Sequence, residues 1–327
     1  MDPIVIEPLD AVSITTVVDN VSDILLPDQG PAKRLPLARD RLPKTAARFI
    51  EGGASMATPR AEHGFSALID IERGDRRHTI LFDTGVTPDG AIENLACFQR
   101  DPKDIEAIIF SHGHYDHTVG MDGLARFLGR TNLPVYLHPE SWSRRRVAFE
   151  GREPFELPTT SRSALEGAGF DIVEDRQPSF VLDNVLLITG EVDRRTEFER
   201  GFSAHQAYRD DEWRPDPLIL DDQAAIMHVR NKGLVVLTGC GHAGIANIVH
   251  YARTITGIDE VYAVVGGFHL SGSLFTPIIA DTVQALRQIN PQIIVPAHCT
   301  GWRATHALAA AFPDAFIQNS VGTRFDL

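Results

Sequence analysis

The chain is predicted to fold as an α/β layered domain, and three observations carry that expectation. Strand-like and helix-like patterns alternate regularly in the last third of the sequence. Short polar clusters fall where the predicted strands stop, which is where α/β folds assemble their sites. One of these clusters is exceptional. Ser111-His112-Gly113-His114-Tyr115-Asp116-His117 follows the apolar run Ile105 to Phe110 and packs three imidazoles and a carboxylate into six positions. Two histidines separated by one residue point the same way on an extended backbone. Asp116 and His117 can face the same centre only if the chain turns after them. Nitrogen and carboxylate ligands crowded at a strand end suit zinc or another borderline first-row metal.

The elements follow in order. Val12 to Val18 is β-branched and reads as a strand; Phe65 to Arg73 and His78 to Phe82 read as a hairpin pair. Between them, residues 26–62 form an expected loop insertion or lid, whose first part is rich in proline and carries Lys33, Arg34, Arg39, Arg41, Lys44 and Arg48. Leu124, Phe127 and Leu128 have helical spacing, so the histidine run sits on a strand-loop-helix junction. Val135 to Leu137 is the next strand. Residues 141–216 are irregular and charged, with one strand-like run at Val185 to Thr189, and are expected to be a cap-like insertion over the site mouth. Ala225 to Val229 and Leu234 to Thr238 pair around Asn231-Lys232-Gly233. A helix (Ile245 to Thr254), a strand (Val261 to Val265), a helix (Pro277 to Ile289), a strand (Gln292 to Pro296) and a helix (Ala304 to Ala311) complete a single domain spanning 1–327.

Composition narrows the function classes. A chain of 327 residues that is 43% hydrophobic can bury a sizeable core. A formal charge of −13 disfavours nucleic acid and anionic membranes as partners and leaves a small molecule as the expected one. No stretch approaches the ~20 apolar residues of a membrane helix. The start carries Asp2 and Glu7 and no basic residue, unlike a secretory leader. Cys97, Cys240 and Cys299 are sparse and odd in number, which fits free or metal-binding thiols in a reducing, cytoplasmic setting.

Four further clusters accompany the histidine run: Asp83-Thr84-Gly85, Gly239-Cys240-Gly241-His242, Gly266-Gly267-Phe268-His269 and Ala297-His298-Cys299-Thr300-Gly301. Together with His112, His114, Asp116 and His117 in an HxHxDH pattern, they make the chain resemble the metallo-β-lactamase superfamily. That resemblance implies an αββα sandwich with metals where the two sheets meet. It further implies that Asp83 braces the histidine loop, that Cys240 stands where most members carry an aspartate, and that His298 is the last metal histidine. Glu62-His63-Gly64-Phe65-Ser66, Gly239 to Gly244, Gly266 to Leu270 and His298 to Gly301 are similar to the dihydropterin synthase-like branch. Hydrolytic dehalogenases of chlorothalonil belong to the same superfamily.

The chain departs from the family where a third histidine should serve the first metal. Upstream of Cys240 stand only His205, in a charged stretch, and His228, within a strand, while Asp221 and Asp222 lie near the expected place. One dominant zinc is therefore expected, on Asp116, His117 and either His269 or His298, with Asp222 or Cys240 completing the shell; two zincs remain the alternative. His63, His242 and Glu191 are expected on the substrate side or behind the ligands. A bound zinc lowers the pKa of water to about 7. Under a one-zinc reading, His114 is free to act as general acid/base and Asp116 is both ligand and orienter. The attack would fall on an ester, lactone, thioester or activated chloroaromatic carbon. The competing readings are a pterin-condensing transferase, with Arg144 to Arg146 or Arg194 and Arg195 as its phosphate pocket, and a non-catalytic zinc sensor with a closed shell. A homodimer is the default assembly.

Overall fold

The computed structural model describes residues 3–35, 42–130, 132–182 and 184–327. Two sheets lie face to face. One has eight strands, in the order Asp171–Glu174, Pro134–Leu137, Ala107–Ile109, Arg76–Phe82, Ser66–Arg73, Ala11–Val18, Arg324–Asp326 and Ala32–Lys33. The other has six: Ser179–Val181, Leu186–Ile188, Ala224–Val229, Gly233–Thr238, Val261–Gly267 and Ile293–Ala297. Alternation decides which side chain goes where. In Ser66–Arg73, Ala67, Ile69 and Ile71 enter the layer between the sheets, while Leu68 packs outward. In Gly233–Thr238, Val235 and Leu237 point inward, and Leu234 and Val236 point outward. Both faces are covered, so these strands read as continuous apolar runs.

Helices cover the outer faces. Leu95 of Gly90–Cys97, Leu124 of Met121–Leu128 and Leu165 of Arg162–Ala168 close one side. Ile248 and Val249 of Ile245–Thr256, Leu286 of Ile279–Ile289 and Leu308 of Trp302–Ala311 close the other. The result is the αββα sandwich that the sequence implies. Its central layer is full of branched side chains, each worth about 1.5–3 kcal/mol when buried.

Three segments differ from expectation. The stretch 141–216, expected as one cap-like insertion, is divided among three sheets. Asp171–Glu174 joins the eight-stranded sheet, Ser179–Val181 and Leu186–Ile188 join the six-stranded one, and the rest includes a separate four-stranded sheet. That sheet runs Phe155–Glu156, Arg145–Val147, His205–Arg209 and Glu212–Pro215. The loop 26–62 contains Ala32–Lys33 and a small hairpin of Lys44–Ala46 with Ala54–Met56. Arg34 ties its start to the Gln318 carbonyl and Thr323, and Glu62 ties its end to the backbone of Val86 and Thr87. Arg39 and Arg41 lie outside the described residues. The strand Arg324–Asp326, pairing antiparallel with Ala11–Val18, has no counterpart in the sequence reading.

The strand ends that carry the polar clusters converge on one edge of the sandwich. The Gln223 N–H donates to the Ser111 carbonyl at 2.9 Å, joining the two sheets there.

Candidate metal centre

Sharp turns at this edge aim the polar side chains. Asp83, His269 and His298 follow or end their strands with φ of 55°, 45° and 47°. Left-handed backbone at a residue with a side chain costs of order 1–3 kcal/mol and is characteristic of functional sites. Gly113 meets a different demand: a Cβ between the two histidines would collide with the Ser141 carbonyl. Only glycine lets the His-Gly-His segment lie so close to the neighbouring loop.

Two groups of donor atoms form side by side. His112, His114 and His242 make one; Asp116, His117, Cys240 and His298 make the other; all seven residues are buried. In the first, the His242 Nε2 lies 3.2 Å from both the His112 Nε2 and the His114 Nδ1, which are themselves 2.9 Å apart. In the second, the His117 Nε2 is 3.2 Å from the Cys240 Sγ, and the His298 Nε2 is 3.4 Å from the Asp116 Oδ2.

The hydrogen bonds behind these atoms fix where the ring protons sit. Asp83 accepts from the Ser111 N–H at Oδ1, and from the Ser111 hydroxyl and the His117 Nδ1–H at Oδ2, each at 2.7 Å. Because the Ser111 proton goes to Asp83, its Oγ accepts the His112 Nδ1–H at 2.9 Å. His298 gives its Nδ1–H to the Asn20 Oδ1 at 3.2 Å. His112 and His298 are thus left with bare Nε2 lone pairs aimed inward, and His117 turns its Nε2 to the same side. The His298 Nε2 is buried without a hydrogen-bond partner. Lone pairs gathered with no proton between them repel unless a cation lies among them, and a second nitrogen bonded to an outer partner is the usual setting of a metal-bound histidine. The residues fit a metal at both groups.

Electrostatics agree. Burial above all, followed by the neighbouring imidazoles and, for His112 and His114, Arg145, pushes His112, His114 and His242 well below the ordinary imidazole range, which keeps their lone pairs free. Burial opposes charge on His117 as well, but Asp83 and Asp116 overcome it and hold that ring up at about 9, so an ion entering there displaces a proton. Burial alone would raise Asp116, yet His117 and His298 keep its carboxyl well below the usual range. The Cys240 thiol is pushed up by burial.

Several expectations change. His242, expected beside the substrate or behind the ligands, sits inside the first group with His112 and His114. His114, expected as general acid/base, has its Nδ1 facing His112 and His242 and its Nε2 facing the His205 Nε2 at 2.9 Å. Asp222 belongs to neither group: its Oδ2 accepts the Ala243 N–H at 2.8 Å and braces the segment after His242. Asp221 is bonded to Arg145 and to the Gly113 N–H. His298 stands with Asp116 and His117, whereas His269 stacks on His242 at a ring distance of 4.1 Å and joins Cys240 and Cys299 in a third grouping. Glu191 pairs with His138 and Arg176 instead of facing the clusters. His63 is two-thirds exposed, with its Nε2 3.8 Å from the Asp116 Oδ2. His228 stays at its strand near the Ile6 carbonyl. The charged stretch around His205 carries no signal of its contact with His114.

A cavity of about 620 Å³ opens beside His242 and His269, walled by Phe198, Phe268 and Phe275, with Arg200 and Asp281 also lining it. The buried Glu199 at its side accepts the Ala246 and Asn247 N–H groups, capping the helix Ile245–Thr256. The arginine runs are committed elsewhere. Arg144 pairs with Glu156, Arg145 with Asp221, Arg146 with Gln206, Arg195 with Asp193, and Arg194 with the carbonyls of His242 and Leu218.

No helix among the described residues is long and apolar enough to cross a membrane. Comparison with known proteins agrees with the geometry. Over 262 residues the chain is 30% identical to 7,8-dihydropterin-6-methyl-4-(β-D-ribofuranosyl)-aminobenzene-5′-phosphate synthase of Methanocaldococcus jannaschii, covering 78% of this chain and 87% of that protein. An uncharacterised protein of the same organism is 30% identical over 267 residues, covering 80% and 92%. A solved metal-dependent hydrolase of the β-lactamase superfamily superimposes with a TM-score of 0.70 at 22% identity, over 97% of this chain and 99% of that one. The sequence pattern of the metallo-β-lactamase superfamily matches residues 60–298, and with the paired donor groups at the sheet edge this makes the chain a member of that superfamily.

Proposed function

We propose that the protein is a zinc-dependent hydrolase of a small molecule, working with two ions. His112, His114 and His242 would hold one, and Asp116, His117, Cys240 and His298 the other. The observation that carries this reading is the convergence of imidazole lone pairs next to an aromatic-walled cavity of substrate size. Zinc ions bound there would supply Lewis acidity and lower the pKa of water from ~15.7 to ~7. The chain's own residues do the rest. Asp83 and Ser111 orient His112 and His117. His269 and Phe275, at 4.4 Å between rings, form the wall that seats a flat substrate group. His63 accepts from the Asn20 amide at Nδ1, which leaves its Nε2–H beside Asp116 free to hydrogen-bond the leaving group.

A pterin-condensing transferase, suggested by the named relative, would need a phosphate cradle, and the arginines expected to build one are bonded within the protein. The substrate classes that fit are activated esters, lactones, thioesters and electron-poor chloroaromatics such as chlorothalonil. Reducing, cytoplasmic conditions and a homodimer complete the reading. The test is hydrolysis of a panel of these compounds in ¹⁸O-labelled water. Label in the product, lost on chelation and restored by zinc, supports the hydrolase. Turnover of a pterin with a ribosyl-aminobenzene phosphate, in the absence of any hydrolysis, would contradict it.

A further inference from the structure

We infer that His205 is a positioning residue for His114: by accepting the His114 Nε2–H it reserves the His114 Nδ1 lone pair for the ion held with His112 and His242. The inference rests on reading that cluster as a metal site. His205 is fully buried, and its Nδ1 lies 3.0 Å from the Asp216 backbone carbonyl, an atom that can only accept. His205 therefore carries its proton on Nδ1 and presents a bare Nε2, 2.9 Å from the Nε2 of His114. A proton must lie between those two nitrogens, and it comes from His114. With that proton on Nε2, the His114 Nδ1 is bare and faces the nitrogens of His112 and His242.

His205 stands on the four-stranded sheet, where it pairs with Val147, and Arg145 of the same pairing reaches the histidine loop by another route. The buried Arg145 guanidinium forks onto Asp221, whose Oδ2 also accepts the Gly113 N–H at 2.8 Å. Burial opposes charge on Asp221, yet Arg145 and the Gly113 N–H overcome it and hold its carboxyl well below the usual range. Seating of this sheet thus fixes both the backbone at Gly113 and the proton on His114. The other metal group is oriented by other contacts: His117 through Asp83, and His298 through Asn20. Only one of the two ions depends on the sheet.

The test is cobalt(II) titration of the metal-stripped full-length protein, followed by visible absorption, for wild type, His205→Phe and His205→Gln. Phenylalanine fills the space without an acceptor, whereas glutamine offers a carbonyl oxygen near the old Nε2. Wild type should take two equivalents. His205→Phe should weaken one of them by about 10–100-fold, the usual effect of losing an outer partner, and leave the other unchanged. His205→Gln should recover most of the loss. Two equivalents with unaltered affinities in His205→Phe would overturn the inference, as would equal weakening of both. Fewer than two in wild type would overturn the two-ion reading itself. Should His205→Phe fail to fold, long-range ¹⁵N imidazole spectra of the wild-type holoprotein decide: an Nδ1–H on His205 and an Nε2–H on His114 support the inference, and an Nε2–H on His205 refutes it.

Discussion

Replacing Asp83 by asparagine should weaken both metal groups at once, although Asp83 would touch neither ion. Three donors end on its carboxylate: the Ser111 N–H on Oδ1, and the Ser111 hydroxyl and His117 Nδ1–H on Oδ2. Asparagine keeps one oxygen for the backbone N–H but places an NH₂ where Oδ2 was. The His117 Nδ1 must then accept, which moves its proton to Nε2, the atom 3.2 Å from the Cys240 Sγ. The Ser111 hydroxyl, now facing a donor, turns its hydrogen to the His112 Nδ1 and drives that proton to Nε2 as well. Loss of an outer partner lowers metal affinity by about 10–100-fold, so each ion should lose about 1.4–2.7 kcal/mol. Isothermal titration of the metal-stripped protein with zinc against a competing chelator reads both affinities. If only one affinity falls, or neither changes by more than about threefold, the proton positions assigned to His112 and His117 are wrong.

Two further substitutions test the frame. The Asp222 carboxyl is fully buried, and burial raises it from 3.8 to about 6 despite the backbone N–H groups it accepts. A folded value above the unfolded one destabilises the fold as pH climbs past 3.8, and the effect is complete above about 6. Asp222→Asn, which retains an acceptor for Ala243, should therefore stabilise the metal-stripped protein by up to about 3 kcal/mol at about pH 8 and by nothing near pH 3.5. Urea unfolding at the two pH values checks this, and equal stabilities at the higher pH would count against it. Glu199→Ala strips the Ala246 and Asn247 N–H groups of their acceptor at a buried helix start. Lost capping and unsatisfied donors should cost about 2–4 kcal/mol, read as a lower urea midpoint with an unchanged slope.

Much of this architecture is legible in the sequence because periodicity survives wherever a strand or helix spans enough residues. The alternation in Ser66–Arg73 and the branched run of Gly233–Thr238 forecast which faces meet, and strand ends forecast where His112 to His117, Cys240 and His298 gather. What escapes depends on distance in the chain. The strand Arg324–Asp326 is three residues long with a charged residue at each end, too short to show a period. His242 lies after Cys240, whereas the family pattern places the third histidine before it. The turn at Gly241, with φ of 71°, swings the next side chain into the cluster. His205 gives no local signal, since its partners His114 and Asp216 are brought to it only by the folded four-stranded sheet.

The proposed centre, with two ions per chain and one of them held by His242, differs from a single-zinc site in a countable way. Elemental analysis of protein purified without added metal, beside His242→Ala prepared in the same way, addresses that difference most directly. Two zincs per chain in wild type and one in the variant are the predicted result. A single zinc, unchanged when His242 is replaced, would contradict the two-ion centre and return His112 and His114 to roles other than metal binding.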